Sequence, residues 1–396
     1  MMTPSASFSN AKRYGFALLV ATSSFQPFAA ESTAIPNVEA NSVPHSSSHA
    51  LASFSDSYKA YQQAVADGND ADILRYSAQA YELGKLKFGD RDIDSANLGL
   101  NYASALIQED KSLAKERARE RQAQAHQLYI DALAVYELEY GEESVESIDP
   151  LLGAAQTHSD IKKAKSQFHL AVEIAEDSER PMLLASVQMS AFNGLKNTRY
   201  YDRETRNYAL DAFEIYQEKL PQDALVRVES TYIAGLIWFA EKNESKAIPL
   251  FEEVITQFSK LDYSHPYELA SHARLVQLYE TEGQSDKSTQ HCLAIGSMEP
   301  WKETQEQTPL YRLAPKYPMS AARKGKEGWV QLAFIVDEYG FVTEPRVLDS
   351  KGGSGFEKSS LKSLKNWRYA PKFIDGKAVA AESEVQMDFT LSKTRN

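Results

Sequence analysis

Four segments of this chain can be laid on one register. Asp131-Ala-Leu133-Ala-Val-Tyr-Glu, Leu170-Ala-Val172-Glu-Ile-Ala-Glu, Asp211-Ala-Phe213-Glu-Ile-Tyr-Gln and Pro249-Leu-Phe251-Glu-Glu-Val-Ile align Leu133, Val172, Phe213 and Phe251, which lie 39, 41 and 38 residues apart. A fifth copy, Gln79-Ala-Tyr81-Glu-Leu, sits 52 residues before Leu133, and the charged run Glu109 to Arg121 accounts for its extra length. From Tyr58 to about Met298 glycine and proline are sparse, and apolar residues recur three and four apart, the spacing of amphipathic helices. Such a repeat predicts helix pairs that each leave an apolar face bare, and stacking into a solenoid covers those faces.

A small residue beside a large apolar one, alanine in four of the five copies, lets neighbouring helices approach while the larger side chain fills the groove. In period and in this pairing the region resembles the tetratricopeptide repeat, although its repeats are longer than usual and no copy carries the full consensus. The resemblance implies a surface that holds a second protein.

Composition narrows the class. Of 396 residues, 43 are basic and 55 acidic, a net charge of −12, which disfavours a general nucleic-acid binder. The single cysteine, Cys292, excludes an internal disulfide and any multi-cysteine metal cage. At the N-terminus, Lys12 and Arg13 precede the short apolar stretch Tyr14 to Ala21 and then Gln26-Pro-Phe-Ala-Ala30. That order predicts a secretory signal peptide cut after Ala30, with an uncleaved anchor as the alternative. Residues 31–55, rich in Ser, Ala, Pro and His, are expected to form a flexible leader.

Beyond residue 315 the apolar period changes from 3.6 to 2. Val330, Leu332, Phe334 and Val336 alternate along one strand, Asp337 to Gly340 turns, and a second strand over Phe341 to Leu348 completes a hairpin. Ser354 and Glu357 predict a capping box on a helix that presents Phe356, Ser360, Leu361, Leu364 and Trp367 to the sheet. Asp375-Gly376 makes a further turn. In the last strand, Glu384 to Leu391, Val385, Met387, Phe389 and Leu391 face inward and Glu384, Gln386, Asp388 and Thr390 outward. The expected result is a three-stranded antiparallel sheet with one packed helix, preceded by a short helix at Met319 to Lys324.

The order Pro315-Lys-Tyr317-Pro318, Gly328-Trp-Val330-Gln-Leu332, Val336-Asp337-x-x-Gly340 and Trp367-Arg368-Tyr369-Ala-Pro371 resembles the C-terminal domain of the TonB family over essentially the whole unit. The resemblance implies a periplasmic α/β domain that adds an extended segment of an outer-membrane TonB-dependent transporter, or a related envelope protein, to its sheet. Partner contacts are then expected at Pro315, Tyr317 and Pro318 and along Glu384, Val385, Gln386, Met387, Asp388, Phe389, Thr390 and Leu391. An unpaired strand edge supplies the backbone donors and acceptors for that contact. The chain departs from the family's energy transducers in having a helical repeat where they carry an anchor and a Pro-rich spacer.

The expected fold is therefore multidomain α plus α/β. A signal peptide spans 1–30, the leader 31–55, a tetratricopeptide-like helical repeat domain 56–299, a linker 300–314 and a TonB C-terminal-like domain 315–393. Residues 311–396 carry 15 basic and 10 acidic side chains, leaving 28 and 45 for the rest. This polarity predicts that the basic unit folds back on the acidic repeats and covers its own edge strand. No catalytic, cofactor-binding or metal-ligating set is expected: Lys351 to Gly355 lacks the P-loop ending, Ser354 lacks a nucleophile elbow, and His265 and His272 lack a carboxylate at usable spacing. The function expected is a non-enzymatic adaptor in outer-membrane transport. A dimeric scaffold built by pairing edge strands and a membrane-anchored energy transducer are the alternatives.

Overall fold

The computed structural model describes residues 6–7, 45–108, 113–260, 265–298 and 307–391. The expected signal peptide, apart from two residues, and the start of the charged run at Glu109 lie outside the described residues. Two compact units emerge, one of residues 27–221 and one of 222–396 together with the first 26.

After a two-residue strand, β1 (Ala6–Ser7), the 27–221 unit holds α1 (His45–Asp67), α2 (Asp70–Phe88), α3 (Ile93–Leu106), α4 (Lys115–Tyr140), α5 (Ile148–Thr157), α6 (Ile161–Asp177), α7 (Pro181–Leu195) and α8 (Arg203–Lys219). The first helix starts inside the segment expected to be a flexible leader. Successive helices pack as antiparallel pairs, α1 with α2, α3 with α4, α5 with α6 and α7 with α8. Their starts are set locally: Asn69, Asp92, Asp160 and Asp202 each accept a backbone amide of the following helix, a cap that satisfies a donor the helix cannot.

The repeat register reads directly as packing. The small residue of four of the five copies, Ala80, Ala132, Ala171 and Ala212, is buried, whereas the large neighbour is buried in some copies (Val172, Phe251) and partly exposed in others (Leu133, Phe213). The helices approach closely at glycines: Gly153 of α5 leaves no room for a Cβ against the Tyr129 ring of α4, and Gly194 of α7 none against the Phe168 ring of α6.

The second unit opens with two more pairs, α9 (Leu225–Ala240) with α10 (Glu244–Phe258) and α11 (Pro266–Thr281) with α12 (Ser285–Met298). Their core includes Val228, Tyr232, Phe251, Val254, Leu275 and Tyr279. His265 caps α11 by accepting the Tyr267 amide and stacks on Phe258 at 3.9 Å, with Pro266 in the first helical position. His272 pairs not with His265 but with His291 of α12, their Nδ1 atoms 2.7 Å apart.

The chain then forms β2 (Pro309–Tyr311), α13 (Met319–Arg323), β3 (Gly328–Val336), β4 (Val342–Lys351), α14 (Ser354–Leu364), β5 (Arg368–Tyr369), β6 (Lys372–Ile374), β7 (Lys377–Val379) and β8 (Ala381–Phe389). The sheet runs β1-β8-β3-β4, all antiparallel, with β2/β5 and β6/β7 as separate two-stranded pairs. Val330, Leu332, Phe334 and Val336 are all buried, as the alternation requires, against Phe356, Leu364 and Trp367. The Asp337 turn closes as predicted: its carboxylate accepts the Tyr339 and Phe341 amides, and Gly340 sits at φ 84°. The capping box does not form. Gly353, at φ 109°, occupies the cap position without a side-chain bond, and Glu357 instead accepts the Ser350 hydroxyl at 2.5 Å.

Candidate partner-binding edge

The central strand β3 has two neighbours, and they are unequal. On one side β4 carries Pro345, which has no amide to offer, a left-handed Glu344 at φ 50°, and two register shifts against β3. These are devices that blunt an edge. On the other side β8 pairs with β3 in unbroken register over nine residues, from Ala381↔Val336 to Phe389↔Gly328.

The outer edge of β8 is occupied only at its end among the described residues, where Ser7 and Ala6 pair with Asp388 and Phe389. From Ala381 to Met387 no further strand is paired with it. Glu382, Glu384 and Gln386 are exposed on one face of this stretch, and Met387 and Phe389 are buried on the other, with Val385 and Leu391 packed against the same core. Thr390 and Leu391 lie past the end of the strand, and the Leu391 amide donates to Glu327 at 2.7 Å. Glu384, Val385, Gln386, Met387, Asp388 and Phe389 are thus brought into one continuous edge strand.

Pro315, Tyr317 and Pro318 stand differently. Tyr317 is 8% exposed; its hydroxyl donates to the Lys326 carbonyl at 2.6 Å, and its ring meets Phe356 and Phe389 edge-on at 5.5 and 5.7 Å. Pro315 is buried and Pro318 half-buried. Tyr317 therefore serves the core beneath the end of β8 and supports that strand through Phe389.

Sequence reasoning missed the residue that fixes this domain to the last helix pair. Arg368, 1% exposed, forms an ion pair with Glu280 of α11, itself 11% exposed at its side chain. Its other terminal nitrogen donates to Thr289 Oγ1 at 2.8 Å and to the Tyr339 carbonyl at 3.0 Å, and the guanidinium lies 3.7 Å over the Phe341 ring. Around it Val276, Cys292, Ile295 and Ala370 form an apolar seam, with Leu310 and Tyr311 at its margin. Burial pushes the Cys292 thiol up to about 11, so it stays protonated as a packing group. The helix pair meets β2, β6 and β7 as well as Arg368 of β5, so the C-terminal domain packs on it through this seam, and the expected covering of β8 is not seen among the described residues. The only signal in the sequence was an arginine flanked by two aromatics, which also fits the family motif.

Among the described residues the C-terminal unit is thus a small antiparallel sheet with one open, regular edge, and helical repeats precede it. The family described as Gram-negative bacterial TonB protein C-terminal matches residues 314–391. That segment is a TonB-type C-terminal domain, and paired helical repeats precede it. Protein TonB of Vibrio cholerae is 30% identical over 80 residues, 20% of this chain and 33% of the relative. Protein tonB2 of Pseudomonas aeruginosa is 34% identical over 83 residues, 21% of this chain and 31% of the relative. The chain thus spans about a third of the length of these curated relatives. Among solved structures, the Pseudomonas aeruginosa TonB C-terminal domain is 28% identical with a TM-score of 0.21, covering 24% of this chain and 94% of that one. A kinesin light chain TPR-like repeat structure of Podosopora anserina is 17% identical with a TM-score of 0.39, covering 46% and 90%. Among the described residues no helix is long and apolar enough to cross a membrane.

Proposed function

We infer that this protein is a periplasmic, non-enzymatic adaptor in outer-membrane transport. Its C-terminal domain takes up an extended segment of a TonB-dependent transporter, or a related envelope protein, as a further strand beside β8, while the helical repeats hold a second protein. The observation that carries this reading is the contrast between the two sheet edges: β4 is blunted by Pro345 and two register shifts, and β8 offers a regular edge from Ala381 to Met387. Main-chain hydrogen bonds supply the affinity in this mode, and alternate side chains supply the selectivity. Glu382 and Glu384 on the exposed face favour a strand that places lysine or arginine opposite them. The domains proposed for these roles are 56–299 and 315–393, with a cleaved signal peptide, 1–30, delivering the chain to the periplasm.

Adjacent prolines test the mode. In an antiparallel edge strand, alternate amides point toward the sheet and away from it. Of Ser383→Pro and Glu384→Pro, one removes an amide bonded to β3 and lowers stability, and the other removes an outward amide and leaves the fold intact. The second is expected to weaken binding of a transporter-derived extended peptide in calorimetry with the full chain. Equal binding by both folded variants and the parent contradicts strand addition at β8.

A further inference from the structure

In the 27–221 unit a cavity of 480 Å³ lies between α6 and α8, the second helices of two consecutive pairs. That volume falls within the roughly 300–1,000 Å³ usual for ligand sites. Glu173 and Glu176 of α6 face it from one side and Glu204 and Asp211 of α8 from the other, against one lining guanidinium, Arg203. Two of these acids are already engaged. Glu204 receives Lys165 at 2.9 Å and lies 3.3 Å from the His169 ring, and Glu173 is 3.4 Å from the same imidazole. Glu176 and Asp211 make no ion pair among the described residues. Burial, and then the fields of Glu214 and Glu176, push the Asp211 carboxyl up.

A separate observation concerns the α7 side of the cavity. Gln188 belongs to the lining, is 7% exposed, and its Oε1 is buried without a hydrogen-bond donor. Buried carboxamide oxygens are rarely left so, because desolvation without a replacement bond is costly. Gln188 Oε1, Glu176 and Asp211 are acceptors, two of them carboxylates, and exposed Arg203 lines the same cavity beside them. What answers them is a positive charge carrying several N–H donors in a plane, and the guanidinium, with five donors in a fixed fork, has that form.

We propose that this cavity receives an arginine side chain presented by an extended segment of a partner protein, the guanidinium bridging Glu176 and Asp211 with a donor directed to Gln188. The proposal rests on the reading that the helical repeats hold a protein, and it names the chemistry by which they do so. Lysine, with a point charge and no fork, binds the same place less well.

The test is calorimetric titration of the full chain with a short acetylated and amidated Gly/Ser peptide bearing a central arginine, and with its lysine and glutamine counterparts. Saturable binding in the order arginine, lysine, glutamine is expected, weakening as salt rises. At least a tenfold loss is expected in Glu176→Gln/Asp211→Asn, and also in Gln188→Met, while Glu218→Gln, elsewhere on α8, binds as the parent does. Because Glu176 and Asp211 are exposed, the double variant keeps its helical circular dichroism even if Gln188→Met does not. Absence of saturable binding overturns the proposal, as does binding unchanged by the double variant. Free arginine amide binding as tightly as the peptide overturns it too, since the site would then serve a small molecule. A protein crosslinked to the repeats in intact cells, and captured equally by the double variant, leaves the adaptor reading standing and removes this cavity as its site.

Discussion

Replacing Arg368 by methionine isolates the bond between the C-terminal domain and α11/α12. The substitution keeps an unbranched apolar stem but leaves Glu280, 11% exposed at its side chain, with only the Ser285 hydroxyl at 3.1 Å, and it strips donors from Thr289 and the Tyr339 carbonyl. Breaking a buried pair by removing one partner costs about 3–5 kcal/mol, because a charge stays behind without compensation. For a unit of this size that is a drop of about 6–20 °C in Tm. Removing both partners, Arg368→Met with Glu280→Leu, is expected to recover most of the loss, since apolar replacement of a buried pair is often neutral. Urea unfolding followed through tryptophan fluorescence, in which buried Trp367 reports on this domain, gives all four corners of the cycle. A cost below about 1 kcal/mol for the single change, or a double variant that simply adds the two losses, refutes the assignment of Arg368 as the fixing bolt.

Three further outcomes are expected. Burial, joined at His272 by the field of His291, holds both imidazoles down to about 4, whereas unfolded they titrate near 6.5. The unfolded chain therefore binds more protons between those values. Their contribution to stability is complete above about pH 6.5 and is lost as pH falls toward 4. The urea midpoint is expected to fall less steeply with acid in His272→Gln/His291→Gln than in the parent, and identical slopes exclude the pair as the cause. Gly340→Ala forces a side chain into φ 84° with its Cβ 2.2 Å from the Tyr369 carbonyl oxygen, so at least about 1–3 kcal/mol is lost from the backbone alone. A neutral Gly340→Ala in thermal unfolding contradicts the close approach of this turn to β5. Ala171→Leu overpacks a fully buried repeat position and is expected to cost about 1–3 kcal/mol, whereas leucine at exposed Ser166 of the same helix costs little; equal effects deny the repeat register its packing role.

The helical repeats were legible because their signal is local. A buried alanine returns at Ala132, Ala171 and Ala212, and capping Asp or Asn residues mark several helix starts. The strands were legible for the same reason: the period-2 pattern of β3 and the Asp337 turn depend on residues within a few positions of one another. The β6/β7 hairpin was half visible, since Asp375 and Gly376 at φ 49° and 73° announce its turn, while three-residue strands carry too little alternation to declare themselves. The helix start at Ser354 was misread because Ser and Glu at cap spacing outweighed two preceding glycines, both of which take positive φ and leave the cap to Gly353. What the sequence did not show lies far apart in the chain. Arg368 meets Glu280 across 88 residues, and no periodicity links a strand arginine to one glutamate among the many on the helices. The candidate edge was half readable too. Alternation placed Glu384 to Phe389 on a strand, but only the register shifts in β4 reveal which side of the sheet is left open.

Amide hydrogen exchange, resolved residue by residue on the full chain with and without an extended peptide from a transporter's periplasmic segment, addresses the strand-addition reading head-on. New protection at alternate positions between Ala381 and Met387, with none along Val342 to Lys351, is the predicted result. A peptide that binds yet protects β4, or leaves β8 exchanging as before, contradicts it.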